Sequence, residues 1–210
     1  LGIDNRRLSD TLKNMFRLQV CRHPACRHYA LNDGQYCLRH SENPEKISSQ
    51  VIEAFARDDT FDSVSFGSVV LKDLDLSKKK FYACNLDGAR FERVKFTEAF
   101  FQLCFLQFAT FIDCTFTDVI CKYTVFAGSK FDSCDFTGSD LLHSNMMGID
   151  ASNCCFDDSD LYYSTFASSQ LSNLSFKDCN MKKADFTNTR REEVTFKYSN
   201  YEEAVFAREP

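Results

Sequence analysis

From Phe61 to Phe206 every fifth residue is large and apolar, with two exceptions in thirty positions. The series is Phe61, Phe66, Leu71, Leu76, Phe81, Leu86, Phe91, Phe96, Phe101, Leu106, Phe111, Phe116, Cys121, Phe126, Phe131, Phe136, Leu141, Met146, Ala151, Phe156, Leu161, Phe166, Leu171, Phe176, Met181, Phe186, Arg191, Phe196, Tyr201 and Phe206. Only Arg191 is polar and only Ala151 is small, and 17 of the 22 phenylalanines fall in this register. A helix repeats every 3.6 residues and a strand every 2, so neither gives a strict period of five. The period marks a repeat architecture, in which one unit cannot bury its apolar face alone and stacked units share a continuous core.

A second position follows the same period. Two residues before most large positions sits a slim residue, as at Val69, Cys84, Ala89, Cys104, Cys114, Thr124, Ser139, Ser159 and Ala184. Asp or Asn often comes between the two, as in Ala184-Asp185-Phe186 and Ser139-Asp140-Leu141. With this unit, A-(D/N)-(L/F)-X-X, the chain resembles the pentapeptide-repeat family from about residue 61 to 207. The resemblance implies a mainly β fold, a right-handed quadrilateral parallel β-helix with four five-residue sides per square coil. Thirty units then make 7–8 coils, a rod of about 36 Å at roughly 4.8 Å per coil. Lys79 occupies a slim, inward position, which predicts a distorted coil there.

Residues 1–60 read as a separate N-terminal cap. Leu8, Leu12, Met15 and Phe16 give an amphipathic helix over 4–19, with Asp4 as N-cap. A capping helix is expected over 43–58, with Asn43 as N-cap, Pro44 in the first turn and Ile47, Val51, Ile52 and Phe55 on its apolar face. It closes the open end of the solenoid, as such cores require. Between the helices, residues 21–40 hold Cys21, Cys26, Cys37 and His40 in C-x4-C-x10-C-x2-H spacing, with a turn at Asn32-Asp33-Gly34. Two close pairs of soft or borderline ligands suit tetrahedral structural zinc, with His23 and His28 as alternative ligands. So short a loop cannot build a core, and the metal would supply its folding energy.

Composition removes several function classes. No apolar run approaches the roughly 20 residues of a membrane-spanning helix. Eleven cysteines without need of a disulfide framework favour a reducing, cytoplasmic setting. The net charge of −5 gives no footprint for nucleic acid, and the six arginines from Arg6 to Arg39 are offset by acids. Seven glycines form no phosphate-binding loop. A Ser-His-Asp set can be drawn on paper from Ser144, His143 and Asp140 or Asp160, but side chains of these kinds recur on every side of such a rod.

Residues 20 apart should stack on one side. On that basis Tyr82, Phe100, Leu103, Ile120, Tyr123, Leu142, His143, Tyr162 and Tyr163 form one exposed aromatic patch, extended by Phe105, Phe108, Val125 and Met147. A register slip near 103–108 would bury part of it. Such a patch marks a protein contact. The leading expectation is a non-enzymatic scaffold or adaptor that binds a protein, or a second copy of itself, through this face. The last coil offers an alternative, end-to-end homodimer contact. From the resemblance comes a second expectation, a DNA mimic that binds type II topoisomerases. Nine aspartates between 113 and 160 are compatible with it; the modest acidic excess of the repeats, 21 acids to 15 bases, is against it. A third expectation makes the Cys/His segment a metal- or redox-responsive module.

Overall fold

The computed structural model describes residues 19–31 and 34–207. The helix expected over 4–19 falls, but for Gln19, outside these residues, as do Asn32 and Asp33 of the expected turn. From Thr60 onward the chain is a parallel β-solenoid of about seven turns. Every paired strand is offset from its neighbour by 20 residues, as in Phe81↔Phe101 and Phe111↔Phe131, so four five-residue sides close one coil. The sides are numbered from the one centred on Phe61, Phe81 and Phe101.

The first side begins as a four-stranded sheet: β1 (Thr60–Asp62), β3 (Lys80–Tyr82), β5 (Phe100–Gln102) and β7 (Ile120–Lys122). The third side is a seven-stranded sheet of β2 (Val70–Lys72), β4 (Arg90–Glu92), β6 (Thr110–Ile112), β8 (Lys130–Asp132), β9 (Asp150–Ser152), β10 (Gln170–Ser175) and β11 (Arg190–Thr195). The second and fourth sides pair through single bridges such as Asn85↔Phe105 and Thr115↔Asp135. Register passes unbroken through 103–108, so the slip that would have buried the patch does not occur.

The five-residue period becomes a core of stacked rings. On the fourth side Phe96, Phe116, Phe136, Phe156 and Phe176 stack at centroid distances of 4.4–4.8 Å, tilted by 15° or less. Burial of each ring stabilises by about 1.5–3 kcal/mol, and the repeat applies this at every coil. Slim residues fill the gaps, and their hydroxyls donate to carbonyls 23 residues earlier: Ser144 Oγ to Cys121 O at 2.6 Å, Ser159 Oγ to Phe136 O at 2.8 Å. A buried hydroxyl needs such a partner. Where the large position fails, the slim one compensates. Ala151 is the one small member of the large series, and Ile149, two residues earlier, brings the missing volume and is buried.

All coils turn the same way. The second residue after each large one has φ between +49° and +72° from Ser63 to Tyr198, and only Gly88, Gly128, Gly138 and Gly148 of these are glycine. Left-handed backbone costs a non-glycine residue about 1–2 kcal/mol.

The N-terminal end is closed by α1 (Pro44–Arg57). Asn43 precedes it as expected, but its side chain makes no capping bond. Phe55 is 2% exposed, and its ring meets Phe61 and Phe66 at 4.9 Å, plugging the first coil. Lys79 corrects the sequence reading. Its coil keeps full register, because the side chain rises to the end of α1, where Nζ donates to Asp58 O at 2.9 Å and pairs with Asp59 at 3.0 Å. A cation there also faces the negative end of the helix dipole.

Candidate functional site

Two features rise above the regular rod, and the first is the Cys/His cluster. The antiparallel bridge Val20↔Tyr29 brings the two flanks of the first loop together, with Cys21 N donating to His28 O at 2.8 Å. A tight turn from His23 to Cys26, with Ala25 at φ 65°, aims Cys26 back toward Cys21. The short 3-10 helix Leu38–His40 presents His40 beside Cys37, with its own buried Leu38 anchored in the rod's core.

The side-chain ligand atoms of Cys21, Cys26, Cys37 and His40 all lie within 4.8 Å of one another. His40 Nδ1 is 3.4 Å from the sulfurs of both Cys21 and Cys37, and the Cys26 and Cys37 sulfurs are 3.8 Å apart. A tetrahedral ion with bonds of about 2.3 Å to sulfur and about 2.05 Å to nitrogen sets such atoms about 3.8 Å (S···S) and about 3.5 Å (S···N) apart. The donor set therefore fits a closed four-ligand centre. The sulfurs are far too distant for a disulfide, and every cysteine of the chain is free. Burial pushes the Cys37 thiol up to about 11, and the crowding Cys21 and Cys26 sulfurs add to this. Burial also acts on Cys21, but hydrogen bonds from the backbone at Cys37 and His23 and from the His40 ring outweigh it and bring that thiol down to about 6.

The two alternative histidines are engaged elsewhere. The His23 ring stacks on His40 at 3.8 Å, fixing the plane of the His40 ring. His28 Nδ1 lies 3.2 Å from the buried carboxylate of Asp87, on the second coil. Ser65 Oγ, which accepts from Asn85 Nδ2, donates to Ala30 O at 3.2 Å. The His28–Ala30 part of the segment thus sits on the second side of the first two coils, a contact that no local pattern in the sequence discloses.

The second feature is the aromatic patch, which the structure redistributes. Tyr82, Phe100, Ile120, Leu142 and Tyr162 lie beside the large inward residue of their units and are half-buried, and Tyr82 and Phe100 pack on each other at 5.3 Å. What projects is the corner between the first and second sides: Leu103, Tyr123, His143 and Tyr163. Tyr123 and His143 stack at 5.1 Å, His143 and Tyr163 at 5.0 Å, and Lys183 covers the Tyr163 ring at 4.6 Å. All four projecting residues sit at φ between 54° and 56°. The triad drawn on paper is not assembled. His143 is held between two tyrosines, Ser144 is turned inward, and Asp140 accepts from Leu142 N and pairs with Lys122.

Comparison with known proteins agrees with the architecture. Family models described as "Pentapeptide repeat region" and "Pentapeptide repeats (8 copies)" match residues 129–206 and residues 75–118 and 109–148. The chain belongs to the pentapeptide-repeat family. Solved structures that resemble it include HetL, a pentapeptide repeat protein involved in heterocyst differentiation regulation from the cyanobacterium Nostoc sp. strain PCC 7120. It has 11% identity and a TM-score of 0.27, covering 75% of this chain and 96% of that one. QnrB1, a plasmid-mediated fluoroquinolone resistance protein, has 20% identity and a TM-score of 0.34, covering 66% and 83%. A pentapeptide repeat protein of the Arabidopsis thaliana thylakoid lumen has 24% identity and a TM-score of 0.23, covering 56% and 68%. No curated protein matches the chain. No helix among the described residues is long and apolar enough to cross a membrane.

Proposed function

We propose that this protein is a non-enzymatic docking scaffold that binds a protein partner through the corner carrying Leu103, Tyr123, His143 and Tyr163. One observation carries the reading. At this corner the chain puts bulky side chains on left-handed backbone, where Gly, Asn or Asp cost least. It also leaves them exposed: Tyr123 is 50% and Tyr163 42% accessible. Strain retained on exposed aromatic residues points to recognition.

The same reading makes Cys21, Cys26, Cys37 and His40 a structural zinc site. The closed donor set leaves no position for substrate, and zinc there would order the cap that seals the rod. Free thiols throughout fit a reducing, cytoplasmic setting. DNA mimicry draws less support, because the aspartates of 113–160 are spread over several sides and some pair with lysines, as Asp140 with Lys122 at 3.1 Å and Asp157 with Lys177 at 3.8 Å.

The test is capture from native cell extract by the tagged chain and by a Tyr123→Glu/Tyr163→Glu variant. A protein retained by the wild type and lost by a folded variant supports the reading. Equal capture by both removes the corner as the site.

A further inference from the structure

The second side of the rod differs from the other three in one respect. Between Asp87 and Asp185 it bears no charged residue: 104–108 read CFLQF, 124–128 TVFAG, 144–148 SNMMG and 164–168 STFAS. The outward positions of these four coils hold only Phe, Gln, Val, Ala, Gly, Asn, Met, Thr and Ser, while the first, third and fourth sides carry Lys, Arg, Asp or Glu over the same length. Two side chains stand out of this strip, Phe108 at 68% and Met147 at 49% exposed. Above the strip the same side is already a docking surface, because the Cys/His segment lies on Ser65 and Asp87 of the first two coils.

The strip is also complementary to itself. The Phe108 ring lies along its own corner over Gly128, where an added Cβ would come within 2.7 Å of it. One coil further on, an added Cβ at Gly148 would meet nothing within 4 Å, so no side chain covers the corner there and it is open to a partner's knob. A two-fold axis between the fourth and fifth coils sets the third coil opposite the sixth and the fourth opposite the fifth. Phe108 of one copy, lying over its Gly128, then faces Gly148 of the other, and Met147 faces Ala127. The strip spans the third to the sixth coil, so its midpoint falls on that axis. An isologous contact must match itself, which an uncharged surface with a knob and an open corner does and a charged side does not.

We propose that the second side pairs two copies of this chain antiparallel, with Phe108 seated at the partner copy's Gly148. Four coils span about 19 Å. The area buried is therefore below the roughly 800 Å² per partner of a standard interface, which puts the pair in the weak class. The proposal is independent of the aromatic-corner reading.

The test is sedimentation equilibrium of the 210-residue chain up to about 0.5 mM, a range suited to weak association. The variants are Phe108→Lys and Gly148→Glu. Both should fold, because Lys78, Lys183, Glu98 and Glu193 already occupy equivalent left-handed corners. The wild type should dimerise, and each variant alone should associate at least tenfold more weakly. The equimolar mixture should recover dimer, because the lysine introduced on one copy then meets the glutamate introduced on the other. Circular dichroism verifies that both variants are folded. A wild type that stays monomeric, variants that dimerise as the wild type does, or a mixture that fails to recover would each overturn the proposal.

Discussion

The corner between the first and second sides and the corner between the third and fourth share one backbone conformation and carry opposite chemistry. At the third–fourth corner the left-handed positions are Asp73, Arg93, Asp113, Ser133, Asn153, Asn173 and Glu193, at φ 51–56°. Asn and Asp tolerate that conformation, and these side chains also bond along the column: Arg93 Nε to Asp73 at 2.6 Å, Asn173 Nδ2 to Asn153 at 2.9 Å. The first–second corner reads Leu103, Tyr123, His143 and Tyr163 at the same φ. Its rings stack from coil to coil, where the other corner links its coils by ion pair and hydrogen bond. Both columns link successive coils, but only the first–second corner does so with exposed aromatic surface, the feature on which the proposed recognition rests.

The cap, the core and a strained turn should differ in how far their perturbation reaches the two corners. The largest effect is expected at the cap, which neither corner should depend on. Chelation of zinc, or Cys37→Ser, should remove on the order of 10 kcal/mol of metal-binding free energy and unfold the Cys/His segment. Hydrogen exchange would then rise at Cys21, Ala30 and His40 while amides of both corners stay protected. Loss of protection along the rod would show that the corners are not autonomous. Next comes the core beneath them. Phe136→Ala, in the middle of the 4.4 and 4.7 Å ring stacks, should cost about 3–5 kcal/mol in urea unfolding. A loss under about 1 kcal/mol would mean that the stack relaxes and does not hold the corners rigidly. The smallest effect concerns strain itself. Tyr198 is 72% exposed at φ 65° on the fourth–first corner, where neighbouring coils carry Asp178 and Asp158. Tyr198→Asn should stabilise by about 0.5 kcal/mol, and destabilisation of that size would refute the strain argument.

The period of five was enough to mark a repeat and to name the residues of its core, because burial of one large side chain per unit leaves little freedom; the four sides of the coil came with the family resemblance. The gathering of Cys21, Cys26, Cys37 and His40 was legible as well, through their spacing. Three things were not. Lys79 looked like a defect, because the partner that explains it, the end of α1, belongs to another element. His28 could not be separated from a ligand, since Asp87 lies 59 residues away in sequence. The aromatic patch was drawn too wide. Register tells which residues share a side, whereas projection depends on the left-handed turn, which lifts the second residue after each large one and tucks its neighbours against the sheet. Thus Tyr123 and Tyr163 stand out and Phe100 and Tyr162 do not.

The central claim, that the aromatic corner exists for recognition, is tested most directly by measuring partner capture by two corner variants side by side. Tyr123→Asn/Tyr163→Asn gives the first–second corner the residues that the third–fourth corner already tolerates, and Asn153→Ala/Asn173→Ala alters the latter. Capture should fall at least tenfold for the tyrosine pair, about 1.4 kcal/mol or more of binding free energy, and stay at the wild-type level for the asparagine pair. Equal capture by both variants and the wild type would contradict it.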